Sequence, residues 1–450
     1  MRLFAADALL PTGWARDVML DIDANGSLTS VRPQSSARNA EVVRGSLVPG
    51  VPNLHSHAFQ RVIAGRTGRA SAQGDSFWTW RNAMYAFLDR VDADAFGAIA
   101  AQAYVEMLEA GYTSVAEFHY VHHDPAGRPY SNPAELALRV IDAAARAGIG
   151  LTLLPVFYAH AGFGGAPPST GQRRFVTDPA SFARLHERAA IAARESGSVV
   201  GVAPHSLRAV TPDELAAIVA LARAGAPVHI HAAEQTKEVD DCISWSGRRP
   251  VEWLLDNAGV DARWCVVHAT HMTDDEVRAL ARSGAVAGLA PTTEADLGDG
   301  TFAADRYRAA GGVLGIGSDS NTIIDPFVEL RTLEYSQRLR DRRRNVLAAD
   351  ARPVGQSLLE AALAGGAQAL AQPIGAIAAA KRADFIVLDA DDPALAGQPI
   401  DDVIDSAIFG PCRRPVRDVM VAGKWLVRDG RHVDGEAVLA RYRRALAQIG

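Results

Sequence analysis

LVPGVPNLHSH, residues 47–57, is an apolar run that closes on two histidines one residue apart. Residues i and i+2 of an extended chain point to the same side, so His55 and His57 can face one ion together. The run is continuously apolar, the pattern of a strand covered on both faces in a parallel sheet. Seven runs of the same kind follow: TSVAEFHY (113–120), GLTLLPVFY (150–158), VVGVAPHS (199–206), PVHIHAAE (227–234), WCVVHATH (264–271), AVAGLAPT (285–292) and GVLGIGSDS (312–320). Amphipathic, alanine-rich segments separate them, over 94–110, 133–147, 178–196, 211–224, 251–257, 273–283 and 326–340. Eight buried strands alternating with helices predict an α/β fold, a (β/α)8 TIM-like barrel spanning residues 49–375.

The two ends read differently. LFAADALL, ARDVMLDID and SLTSVRP at the start, and ADFIVLDA, DVMVAGKWLV and GRHV near the finish, are short strand-like runs broken by turn residues. Residues 1–48 and 376–450 are therefore expected to form one small β-rich, sandwich-like domain built from both chain ends.

The composition narrows the class. The 450 residues carry 46 Lys and Arg against 52 Asp and Glu, a net charge of −6, and 48% are hydrophobic. A large core is affordable, and with no basic block neither nucleic acid nor an anionic membrane is expected as a partner. The uncharged stretches 147–172 and 361–380 are interrupted by glycine and proline, so neither reads as a membrane helix. The three cysteines, Cys242, Cys265 and Cys412, form no CxxC pair, which fits a soluble protein of the reducing cytoplasm.

Polar residues gather where the apolar runs end, and in a barrel that rim carries the active site. Strand one ends in His55 and His57, strand four in His205, strand five in His231 followed by Glu234, strand six in His268, and strand eight in Asp319. A lone HxH means little, and a lone strand-end histidine is more often a satisfied core residue. Five of eight strand ends carrying such groups is a different matter. His55, His57, His231 and Asp319 make a three-imidazole, one-carboxylate set suited to a divalent metal, zinc first and iron or manganese next. His229 alternates with His231 and should point away from the site, while His119, His122, His123, His160, His186, His271 and His432 read as packing or surface residues.

LVPGVPNLHSH, His231-Ala-Ala-Glu234, Val267-His268 and Gly317-Ser-Asp319 together resemble the one-metal deaminase branch of the amidohydrolase superfamily. Within it, Asn53-Leu-His-Ser-His57-Ala-Phe-Gln60-Arg61, Ser76-Phe-Trp-Thr-Trp-Arg81 in the following loop and Ala203-Pro-His205-Ser-Leu-Arg208 are most similar to the formimidoylglutamate deiminase family. The resemblance implies hydrolysis of N-formimidoyl-L-glutamate to N-formyl-L-glutamate and ammonia, in histidine degradation, by a metal-activated water. It implies catalytic roles for Glu234 as proton shuttle, His268 as hydrogen-bond donor to the reacting centre, and Asp319 as acceptor of the proton from water. Gln60, Arg81, Tyr120, His205 and Arg208 would bind the anionic substrate, with arginine gripping a carboxylate through two parallel hydrogen bonds.

Relatives acting on adenosine-type substrates typically carry Pro-Tyr where this chain has Leu207-Arg208, so an arginine here favours an anion. The alternatives are a purine or nucleoside deaminase of the same branch and a silent structural relative, which would be expected to have lost ligands. The resemblance further implies a homodimer, for which the aromatic loop near Trp78 would offer apolar surface. Gly65, Gly68 and Gly74 suggest a lid over residues 65–76.

Overall fold

The computed structural model describes residues 1–66, 75–349 and 352–449. Residues 67–74, and with them most of the expected lid including Gly68 and Gly74, lie outside the described residues. Eight parallel strand segments close into the expected barrel: β1 Val51–Ser56, β2 Tyr112–His119, β3 Gly150–Phe157, β4 in two short pieces at Val199–Val200 and Ala203–Pro204, β5 Val228–Ala232, β6 Trp264–His268, β7 Val286–Leu289 and β8 Val313–Ile316. Pairing runs β1-β2-β3-β4 and β5-β6-β7-β8. Two seams complete the ring, a parallel bridge from Ser206 to His231 and another from Ser56 to Asp319. The residues singled out at the strand ends are thus also those that close the barrel. The backbone N–H of His57 donates to the Asp319 carbonyl at 2.9 Å, that of Asp319 to the His55 carbonyl at 2.9 Å, and that of His231 to the His205 carbonyl at 3.0 Å.

Helices cover the barrel where the amphipathic pattern put them, for example Ala93–Ala110, Pro179–Glu195 and Pro326–Asp341. Helix Val354–Leu370 lies against β1 and β8. Its Gly365-Gly366 pair permits that approach, because a Cβ at Gly365 would overlap the Leu314 carbonyl and one at Gly366 would overlap Pro52. His229 donates from Nε2 to the Ala369 carbonyl of this helix at 2.9 Å. The expectation that it points the opposite way from His231 is corrected: two residues apart on one strand, the two histidines share a side, and only distance along the strand separates His229 from the site.

Both chain ends enter one mixed sheet of nine strands among the described residues. The strand Phe385–Leu388 joins them, pairing antiparallel with Leu47–Pro49, which in turn pairs with Arg2–Leu10. Leu3, Leu20, Phe385 and Met420 pack into a small separate core, while Leu9, Ile386 and Val419 join the barrel core. The C-terminal segment also carries helices Val403–Phe409 and Gly435–Ile449, whose Ile404, Ile408, Val438 and Ile449 belong to the barrel core as well. Among the described residues no helix is long and apolar enough to cross a membrane.

One local reading is corrected. Ser76 to Arg81 is not a loop: Phe77–Leu88 is a helix, entered through a hydrogen bond from the Ser76 N–H to Thr79 Oγ1 at 3.0 Å. Helix formation places Arg81 and Tyr85 one turn apart on the same face. It also turns Phe77 and Trp80 toward the barrel mouth, where they line a cavity.

Candidate active site

The four expected ligands converge at the rim of the barrel. His55 Nε2 lies 3.2 Å from His57 Nε2 and 3.1 Å from His231 Nε2. Asp319 Oδ1 is 3.5 Å from His55 Nε2 and 3.3 Å from His57 Nε2. All four ligand atoms lie within 4.8 Å of one another. Two donors each ~2.1 Å from one ion stand about 3 to 3.5 Å apart, so these separations match ligands around a common centre.

Their outer hydrogen bonds support the same reading. His57 Nδ1 donates to the Phe118 carbonyl at 2.9 Å and His231 Nδ1 to the His205 carbonyl at 3.1 Å. Those bonds put the ring proton on Nδ1 and leave an Nε2 lone pair aimed inward. Lone pairs converging in a dry site repel unless a cation lies among them, so the residues present fit a divalent metal.

Charge agrees with this. Burial holds the three imidazoles below the ordinary histidine range, His55 down to about 3, so they are neutral ligands at pH 7. Burial acts to raise Asp319, but its hydrogen bond with His55 and the attraction of the surrounding imidazoles, cationic only in acid apart from His268, outweigh it and hold the carboxyl well below its ordinary value.

Beside this quartet, His268 Nε2 lies 3.7 Å from Glu234 Oε1 and 3.8 Å from Asp319 Oδ2. Its Nδ1 faces Glu294 Oε1 at 3.2 Å. Burial disfavours the His268 cation, yet Glu234, Glu294 and Asp319 together push its pKa up to about 10. Glu234 is raised, chiefly by burial, against the opposing pull of His268 and Arg208. A carboxyl moved toward neutrality is suited to carrying a proton. Ala233, His268 and Asp319 adopt left-handed backbone, with φ of +52°, +68° and +43°, a costly conformation for residues with a Cβ. Such strain concentrates where strand ends must aim side chains into a site.

A cavity opens above these groups, lined by His57, His231, Glu234, His268 and Asp319. Gln60, Arg81, Tyr120, His205 and Arg208 also line it, so every expected substrate contact reaches the same space. His55 is fully buried just beneath. Gln60 Nε2 donates to the Tyr120 hydroxyl at 2.7 Å. Arg81 stacks 4.6 Å from the Trp78 ring centroid, and its Nε is buried without a partner among the described residues. Arg208 Nη2 meets Glu234 Oε2 at 3.3 Å.

Sequence reading did not single out Tyr85, Tyr158 and Phe175 of the cavity wall, nor the acids Glu238 and Glu294 behind it. Tyr85 was reachable, since it falls four residues after Arg81 on a helix. Tyr158 closes the third apolar run, and its hydroxyl accepts from Gln172 Nε2 at 2.6 Å.

Comparison with known proteins bears on this geometry. Residues 46–426 match the model of the Amidohydrolase family, and residues 2–44 match that of the Formimidoylglutamate deiminase HutF, N-terminal domain. The chain is 55% identical over 448 residues to a formimidoylglutamate deiminase of Pseudomonas aeruginosa, covering 99% of this chain and 98% of that protein. It is 30% identical over 424 residues to a 5-methylthioadenosine/S-adenosylhomocysteine deaminase of Halobacterium salinarum, covering 92% of this chain and 88% of that one. Among solved structures, an amidohydrolase from Brucella melitensis superposes with a TM-score of 0.94 at 49% identity, covering 100% of this chain and 99% of that chain.

Proposed function

The chain belongs to the amidohydrolase family, and from that membership together with its site we infer that it hydrolyses N-formimidoyl-L-glutamate to N-formyl-L-glutamate and ammonia. The observation that carries the substrate choice is the presence of Arg81 and Arg208 in the same cavity as the ligand quartet. Formimidoylglutamate offers a carboxylate to each, whereas a neutral purine offers none: half-buried Arg81, whose Nε has no partner among the described residues, would gain no counter-charge, and Arg208 would stay on Glu234 and Glu238.

His55, His57, His231 and Asp319 would hold one zinc ion, with iron as the alternative, which supplies Lewis acidity and a hydroxide nucleophile near neutral pH. Asp319, ionised and facing His268, is placed to accept the proton that water gives up. Glu234, raised by burial, is placed to pass a proton to the departing nitrogen, which leaves as ammonia. His268, protonated between three carboxylates, is placed to donate toward the negative charge that develops as the formimidoyl carbon becomes tetrahedral. Gln60, Tyr120 and His205 line the same cavity and would supply neutral contacts.

The unpaired state of all three cysteines supports a cytoplasmic setting. A homodimer, and a division into a 49–375 barrel and a small domain of residues 1–48 and 376–450, complete the reading.

The test is a double comparison at Arg208. Arg208→Met should lower kcat/KM for formimidoylglutamate roughly 10- to 150-fold, the worth of a charge-assisted contact of ~1.5–3 kcal/mol. Arg208→Lys should recover only part of this, because a point charge cannot reproduce the guanidinium fork. The defect should shrink for an analogue whose paired carboxylate is an amide. Equal losses for mutant and parent on the amide analogue would transfer the role to Arg81.

A further inference from the structure

Recognition of an anionic substrate has to break an ion pair that the free site already contains. Arg208 Nη2 lies 3.3 Å from Glu234 Oε2 and 3.8 Å from Glu238 Oε2. Arg208 Nε, the neighbouring donor on the same guanidinium edge, is buried and has no partner among the described residues. That edge is the one that takes a carboxylate through two parallel hydrogen bonds. One of its donors is therefore empty, and the other rests on the carboxylate assigned to carry the proton.

Glu238 keeps this arrangement in place. Its side chain is fully buried, and its two oxygens accept the backbone N–H groups of Ala233 at 3.2 Å and of Glu234 at 3.1 Å. It thereby fixes the left-handed turn at Ala233, φ +52°, from which Glu234 projects, and leaves a second negative oxygen facing Arg208. Arg208 thus has a fixed anchor in Glu238 and a movable partner in Glu234.

We propose that Arg208 and Glu238 form a carboxylate-operated latch on Glu234. With the site free, the guanidinium holds Glu234 Oε2. A substrate carboxylate claims both donors of the edge, Arg208 stays near Glu238, and Glu234 is released to the reacting nitrogen. The latch rests on the substrate reading above and deepens it. Arg208 both binds the anion and makes proton transfer conditional on it. Held by Arg208, a Glu234 oxygen is stabilised as an anion and committed to a second partner, both of which oppose its taking up a proton. A ligand shifts such an equilibrium only by its differential affinity for the two states, and a carboxylate that needs both donors has that difference. An amidine without a carboxylate lacks it and meets a latched Glu234.

Formamidine, the reacting group without its carboxylates, is the probe, with propionate as a detached carboxylate. With the metal-loaded enzyme, propionate should raise formamidine hydrolysis saturably by about 10-fold, equivalent to ~1.4 kcal/mol, and should not raise it in Arg208→Met. No rise, inhibition alone, or an equal rise in Arg208→Met overturns the latch. A crystal structure with propionate bound supplies a check that does not depend on the variant's folding. Arg208 Nη2 should have left Glu234, and persistence of that contact beside a bound carboxylate overturns the proposal. If formimidoylglutamate itself is not hydrolysed, the substrate reading fails. If it is hydrolysed and propionate leaves formamidine turnover unchanged, the latch alone fails.

Discussion

Stripping the metal with a chelator should abolish ammonia release, and adding zinc should restore it in proportion to the ion bound, saturating at one per chain. Bound metal brings the pKa of water from about 15.7 to about 7, and no other group in the cavity can do that, so a loss of at least ~10⁴-fold is expected. The ligand geometry sets the mutational counterpart. His57 and His231 each spend Nδ1 on a backbone carbonyl and present only Nε2. Replacing either with alanine should remove both metal and turnover, and costs the barrel one side-chain bond to a neighbouring strand while the strand pairing that closes it remains. Metal content by mass spectrometry beside activity checks this. Full activity in demonstrably metal-free protein would contradict it.

Replacing Glu234 with glutamine should have the next largest effect. The amide keeps the size and a hydrogen-bonding end but cannot accept and release a proton. The expected loss in kcat is ~10²- to 10⁴-fold, the usual contribution of a positioned acid–base group. The site predicts where the loss appears. Glu234 is not among the metal ligand atoms, so metal content should not change. Its contact with Arg208 is lost or weakened in the variant, so substrate affinity should hold or improve. Single-turnover rates and equilibrium binding separate the two effects. A variant with near-normal kcat would move the proton shuttle to another residue.

The metal quartet was legible because strand periodicity is rigid. His55 and His57 share a side, and each strand end lands on one rim of the barrel. The structure keeps those relations, with the four ligand atoms within 4.8 Å of one another. The helix Phe77–Leu88 was not legible, since FWTWR mixes aromatics with no apolar period and follows a glycine-rich stretch. Its order comes from packing over the cavity, and local propensity does not dictate it. Glu238 and Glu294 escaped notice for another reason. An acid in a helix's first turn is ordinary, favoured by the helix dipole, and only the fold reveals that one supports the Glu234 turn and the other the His268 ring. The Arg208–Glu234 contact spans 26 residues and exists because β4 and β5 are neighbours, which no local pattern reports.

The most direct measurement is kcat/KM for ammonia release by the zinc-loaded protein from formimidoylglutamate, formimidoylaspartate, guanine and adenosine under one set of conditions. Formimidoylglutamate should lead both purine compounds by ~10⁴-fold or more, the discrimination expected when buried polar groups are left unpaired by the wrong ligand. Formimidoylaspartate, one methylene shorter, should fall between. Comparable or faster release from guanine or adenosine would contradict the assignment of Arg81 and Arg208 to substrate carboxylates and the function built on it.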